Sequence, residues 1–184
     1  ELLGGAFFEP LLPLIPKTDR IGQIERLTTH IRKCFGRRPR GAWIPESIWD
    51  QRIAANLKAG GIEYAFLRDG AFHFEPDGPS PGSATYYGHD GGVDRVGHHP
   101  VLTEDQGKTL ILLPLAYDLT HKIFEVPPEE IIEELRRIAA VGGAPGRNNG
   151  AGDQPPLVSI IFDGSAVGFE EERSAARIAW FEEL

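Results

Sequence analysis

The chain has 184 residues, 41 % of them hydrophobic and 25 % charged, with 22 glycines and 15 prolines. This is an ordinary globular composition, and it excludes a disordered chain, a coiled coil and a collagen-like repeat. The net charge of −8 opposes binding to a nucleic-acid backbone or an anionic membrane and suits a neutral substrate.

Glu1 to Ala6 is a short apolar run ending in glycines, read as a buried strand, and Phe7-Phe8-Glu9-Pro10 follows as a turn. Leu11 to Ile15 makes a short helix between prolines. Thr18 to Phe35 is predicted as an amphipathic helix with Thr18 as its N-cap, a stripe of Ile21, Ile24, Leu27 and Ile31, and Gly36 as its terminator. Gly41 to Ile44 reads as a strand running into Pro45-Glu46-Ser47. A helix follows on the stripe Trp49, Ile53 and Leu57, stopped by Gly60-Gly61, and Ile62 to Leu67 is the next strand.

Residues 68 to 107 are rich in glycine and proline and read as a long loop of the kind that is functional or mobile. Gln106-Gly107-Lys108 suggests a hairpin turn before a strand at Thr109 to Leu115. Pro127-Pro128 start a helix on the stripe Ile131, Leu135 and Ile138. Residues 142–155 read as a flexible Gly/Asn-rich loop, Leu157 to Phe162 as a continuous strand covered on both faces, and Phe169 to Leu184 as a terminal helix.

Strands alternating with helices argue an α/β fold with parallel strands. Glu9, Glu46, Asp69 and Asp163 each follow a predicted strand. In α/β barrels the chemistry gathers at the carboxyl ends of the strands.

Glu46 and Asp163 are the sharpest candidates. Two carboxylates flanking one bond can divide the acid and nucleophile roles of glycoside hydrolysis. The alternative is a pair of solvated turn residues. Trp43 offers a flat apolar face to a sugar ring three residues before Glu46, and Glu9 and Asp69 are candidate substrate contacts. The apolar Ile160, Ile161 and Phe162 are expected to desolvate Asp163 and raise its pKa, as a general acid requires. The loop from His89 to His99, with His98, Asp90 and Asp94, holds metal-ligand residue types but matches no known ligand spacing.

The segments Leu3-Gly4-Gly5-Ala6-Phe7-Phe8-Glu9-Pro10 and Ile15-Pro16 to Asp19-Arg20, with Gln23-Ile24, resemble the Gly-Gly-Phe-Tyr-Glu-Pro…Ile-Pro…Asp-Arg…Gln-Ile stretch of glycoside hydrolase family 57. Gly41-Ala42-Trp43-Ile44-Pro45-Glu46-Ser47-Ile48-Trp49 resembles that family's Gly-x-Trp-x-x-Glu-Arg-Val-Trp segment. Within that family the segments look like those of the 4-α-glucanotransferases and related amylases.

The resemblance implies a catalytic nucleophile at Glu46, substrate contacts at Trp43 and Glu9, and a general acid/base at Asp163. It implies part of an incomplete (β/α)7 barrel, without the family's N-terminal strand and post-barrel region, so that residues 1–184 form a single partial catalytic domain. The implied activity is that of a retaining α-glycosidase or 4-α-glucanotransferase on starch, glycogen or maltooligosaccharides, with no cofactor and no metal. The family's Arg after the nucleophile is Ser47 here, the Asp before the acid/base is Phe162, and its Glu-Lys is Ser165-Ala166. These departures motivate one rival, a non-catalytic glucan-binding homologue; the His89–His99 loop motivates another, a metal-dependent hydrolase.

A single cysteine, Cys34, excludes an intrachain disulfide and suits a reducing, cytoplasmic compartment. No signal peptide is visible, although a chain that opens Glu-Leu-Leu-Gly-Gly without Met reads as an excised piece. No apolar run reaches the ~18 residues of a membrane span.

Overall fold

A computed structural model describes residues 2–68, 100–142, 156–168 and 171–184. The fold is α/β, a mixed five-stranded sheet with flanking helices. The strands are β1 (Leu3–Gly4), β2 (Gly41–Ala42), β3 (Tyr64–Arg68), β4 (Val101–Asp105) and β5 (Lys108–Leu115), in the spatial order β1-β2-β3-β5-β4. β1, β2 and β3 are parallel neighbours, with Gly4 opposite Ala42 and Ala42 opposite Ala65. β4 and β5 pair antiparallel from Val101–Leu112 to Asp105–Lys108. The sheet is open.

Parallel neighbours need crossovers, and helices supply them. α1 (Lys17–Phe35) links β1 to β2, and α2 (Ile53–Ala59) links β2 to β3. α1 buries Arg20, Ile24, Thr28 and Ile31 at helical spacing and ends on Gly36 at φ 74. Its cap is Pro16 rather than Thr18: Pro16, fixed at φ −57, offers the carbonyl that accepts the N–H groups of both Asp19 and Arg20 at 3.0 Å. α2 buries Ile53 and Leu57 completely, and Trp49 lies just before it, packed on the same core. That core joins these side chains to Leu12, Ile24, Ile44, Ile62, Leu67, Leu110 and Leu112.

The second strand of the hairpin was expected; β4 lies in the stretch read as loop. Its turn uses Gln106 at φ 52 and Gly107 at φ 73, the two positive φ values that match the twist of a two-residue hairpin. The predicted strand from Leu157 to Phe162 is corrected. Within it only Ser159 pairs, in an isolated parallel bridge to Leu115, and the Ala116 N–H donates to the Ser159 carbonyl at 2.9 Å.

The chain divides into two compact units, the first closing at Pro114 and the second holding Leu115–Leu184. In the second, α3 (Tyr117–Lys122), α4 (Pro128–Gly142), α5 (Ser165–Gly168) and α6 (Glu171–Glu183) follow one another. Its core gathers Ala116, Leu119 and Ile131, with Leu135, Val158, Ile160 and Trp180 packed on them. The Trp180 indole N–H donates to the Val126 carbonyl at 2.7 Å. The predicted loop of residues 142–155 lies, after Gly142, outside the described residues.

Candidate active site

Two candidate carboxylates emerge from the carboxyl ends of adjacent parallel strands. Glu9 follows β1 and Glu46 follows β2, and both are exposed. Both also hold positive φ, 48° at Glu9 and 54° at Glu46, and Ser47 continues at 51°. A β-carbon makes this region unfavourable, and a residue kept there costs on the order of 1–3 kcal/mol. Such conformations persist only where the surroundings impose them.

At Glu46 the surroundings are clear. Ile44 is 1 % exposed and Ser47 is 3 % exposed, so the turn is pinned on both sides of the carboxylate. The Ser47 N–H donates to the Ile44 carbonyl at 3.0 Å, and the Ile48 N–H to the Pro45 carbonyl at 3.2 Å. Glu46 stands outward between two anchored neighbours. Trp43, three residues earlier, is half-buried.

At Glu9 the preceding turn is closed by its own N–H, which donates to the Ala6 carbonyl at 3.2 Å. The segment lies against α1. Gln23 accepts the Phe7 N–H on its main-chain oxygen at 3.3 Å and the Phe8 N–H on its side-chain oxygen at 3.0 Å.

Asp163 lies in the second unit, just before α5. Its Oδ1 accepts the Ser165 N–H at 2.7 Å. The expected upward pKa shift is corrected here. Asp163 is exposed, and the Ser165 N–H, assisted by the Ser165 side chain, holds its carboxyl below the ordinary value. The neighbouring Ile160 turns into the core of its unit, leaving the acid in water.

Asp69 and the whole loop from His89 to His99 lie outside the described residues. Among the described residues no group of three or more His, Cys, Asp or Glu side chains is placed to hold a metal ion. Sequence reasoning set Glu9, Glu46 and Asp163 after strands, which holds for Glu9 and Glu46 but not for Asp163, whose preceding segment holds only an isolated bridge. It missed the left-handed backbone at all of Glu9, Glu46 and Ser47, and no glycine or asparagine at these positions signals it.

The family model of glycosyl hydrolase family 57 matches residues 1–183. The chain belongs to this family. The family 57 chain is 32 % identical to alpha-amylase 1 of Dictyoglomus thermophilum over 184 residues, covering 99 % of this chain and 23 % of that protein. It is 31 % identical to the 4-alpha-glucanotransferase of Thermococcus litoralis over 163 residues, covering 89 % of this chain and 20 % of that protein. The chain thus spans under a quarter of the length of these relatives.

Solved structures carry the same fold. The crystal structure of the Thermococcus litoralis 4-alpha-glucanotransferase superposes with a TM-score of 0.69 at 23 % identity, covering 100 % of this chain and 25 % of that one. An exo-type maltose-forming amylase from a Pyrococcus species gives 0.68 at 13 % identity, covering 99 % of this chain and 28 % of that one. Among the described residues of the family 57 chain, no helix is long and apolar enough to cross a membrane.

Proposed function

We propose that this chain supplies the catalytic carboxylates of a retaining α-glycosidase or 4-α-glucanotransferase acting on α-glucans. The observation that carries the proposal is Glu46. Within a family 57 chain, an exposed carboxylate stands at the carboxyl end of a parallel strand, on a strained turn pinned by buried neighbours. Natural chains retain such strain where function needs the geometry.

In this reading the Glu46 carboxylate attacks the anomeric carbon while Asp163 gives its proton to the departing glycosidic oxygen. The sugar is then held as a glycosyl ester on Glu46. Asp163, now ionised, removes a proton from water or from an acceptor sugar hydroxyl, and the oxygen so activated displaces Glu46. Hydrolysis follows in the first case and transfer in the second. The retaining mechanism requires the two carboxyl groups to stand about 5–5.5 Å apart. Glu9, Trp43 and Asp69 bind the glucan in this scheme, with Trp43 offering its ring to a sugar face.

Asp163 begins as an ionised group favoured by Ser165. To act as an acid it must gain a proton when substrate displaces water, which disfavours the carboxylate. The neutral glucan suits the acidic chain, and its single cysteine suits a cytoplasmic location.

Ser165 also favours a second reading, a glucan-binding homologue without turnover, because a carboxylate held ionised is a poor acid. The deciding experiment is maltooligosaccharide turnover by a protein that carries this chain within a whole family 57 catalytic domain, and by its Glu46→Gln variant. The first reading expects turnover that Glu46→Gln abolishes. Binding without turnover in that parent protein supports the second.

A further inference from the structure

We infer that Gln23 is a positioning residue for Glu9, acting through the main chain of Phe8. The inference rests on the proposed role of Glu9 as a substrate contact. Glu9 sits at φ 48, a conformation that its own side chain disfavours. Something outside the segment must hold it there.

The holding element is one face of α1. Gln23, Arg26 and His30 lie at spacings of three and four, so they share a side of the helix. The opposite side is fixed in the core through Ile24, Thr28 and Ile31. From this mounting, Gln23 binds two consecutive N–H groups of the Glu9 segment, one by its backbone and one by its side chain. The donor to its side chain is an N–H, so the amide oxygen of Gln23 must face Phe8.

The rings of the segment are gripped as well. The Arg26 guanidinium lies 4.5 Å from the Phe7 ring centre and 5.1 Å from that of Phe8. The two rings meet edge to face at 4.9 Å, and His30 meets Phe7 edge to face at 5.9 Å. Phe8 nevertheless remains 65 % exposed. Core burial therefore does not set its place, and the contacts from α1 do. With Phe7, Phe8 and Glu9 each tied through its N–H, the Glu9 carboxylate has a fixed starting point.

Only the side-chain half of the Gln23 contact can be removed by substitution. Alanine deletes the acceptor, whereas glutamate keeps an oxygen at the same reach and has Arg26 one turn away to balance its charge. The experiment compares the full chain with Gln23→Ala, Gln23→Glu, Glu9→Ala and the Gln23→Ala/Glu9→Ala pair. Amide hydrogen exchange is read at Phe8, and KM and kcat are read on a maltooligosaccharide, with Kd replacing KM for a chain that binds without turnover.

Gln23→Ala should accelerate Phe8 exchange and raise KM by about three- to tenfold, the worth of one hydrogen bond. Exchange at Ile31 and kcat should stay within about twofold. Gln23→Glu should restore both readouts, and on the Glu9→Ala background the Gln23→Ala effect on KM should vanish. Unchanged Phe8 exchange in Gln23→Ala, no rescue by glutamate, or full additivity with Glu9→Ala each overturns the inference. A Glu9→Ala variant with unchanged KM overturns the role of Glu9 instead, and Phe8 exchange still decides whether Gln23 holds the segment.

Discussion

Trp43 donates its main-chain N–H to the Gly4 carbonyl at 3.0 Å. This bond carries the β1–β2 ladder one step past its last pair, Gly4 and Ala42. The Trp43 carbonyl in turn lies so near Gly5 that a β-carbon there would stand 2.9 Å away. Gly5, at φ 153, has none. The two strands are therefore locked together where the chain leaves for Glu9 on one side and Glu46 on the other.

The strain at Glu46 makes an unusual stability prediction. Glycine at φ 54 escapes the left-handed penalty of about 1–2 kcal/mol and adds back about 0.5–1 kcal/mol of chain entropy. Glu46→Gly should therefore resist urea as well as the parent chain does, or better by up to about 1 kcal/mol, while losing turnover. By contrast, Ile44→Ala, at a site 1 % exposed, should cost about 2–5 kcal/mol. A loss above about 1 kcal/mol in Glu46→Gly would show that the Glu46 backbone is not strained.

Asp163 should titrate below the ordinary carboxyl range, because the Ser165 N–H and then the Ser165 side chain favour its charged form. Ser165→Ala removes only the smaller contribution and should move the titration upward part of the way. Ser165→Pro removes the N–H as well, at the first residue of α5, where proline is tolerated. It should bring Asp163 back to the ordinary range. Carbon-13 chemical shifts of the carboxyl group against pH measure this directly, and identical titrations in all three chains would contradict it.

Asp50 gives the fold an acid-sensitive contact. Its Oδ1 accepts the Arg52 N–H at 2.9 Å and Nε at 2.8 Å, and its Oδ2 accepts Nη2 at 2.7 Å. The Arg52 side chain is the main cause that lowers the Asp50 pKa to about 2. The folded value lies below the unfolded one of about 3.9, so the stabilisation is complete above about pH 4 and is lost as pH falls toward 2. Arg52 is 67 % exposed, so water screening keeps the contribution small. Urea unfolding across that window should show a steeper loss in the parent chain than in Asp50→Asn.

The first three strands and their two helices were legible in sequence because each carries its own period or terminator. The stripe of α1 and the stop at Gly36 are local properties. β4 was not legible, because an edge strand with Leu102 67 % exposed and Glu104 facing water lacks an apolar signature. The run from Leu157 to Phe162 misled in the other direction. Apolar character reports burial, and Val158 and Ile160 are indeed packed on a core, but it does not report pairing. The same confusion led to the wrong sign for the Asp163 shift. At Glu46, the order of strand and acid could be read directly, whereas its backbone is imposed by Ile44 and Ser47 and leaves no mark in residue type.

The central claim, that Glu46 is the nucleophile of a double displacement, is tested most directly by trapping. The full chain is incubated with a fluorinated α-glucosyl fluoride, which forms the glycosyl ester readily and releases it slowly, then digested and examined by mass spectrometry. The account predicts one glucosyl adduct, on the peptide that carries Glu46, and none in Glu46→Gln. An adduct on the Glu9 peptide, or turnover of the parent chain with no adduct at all, would contradict it.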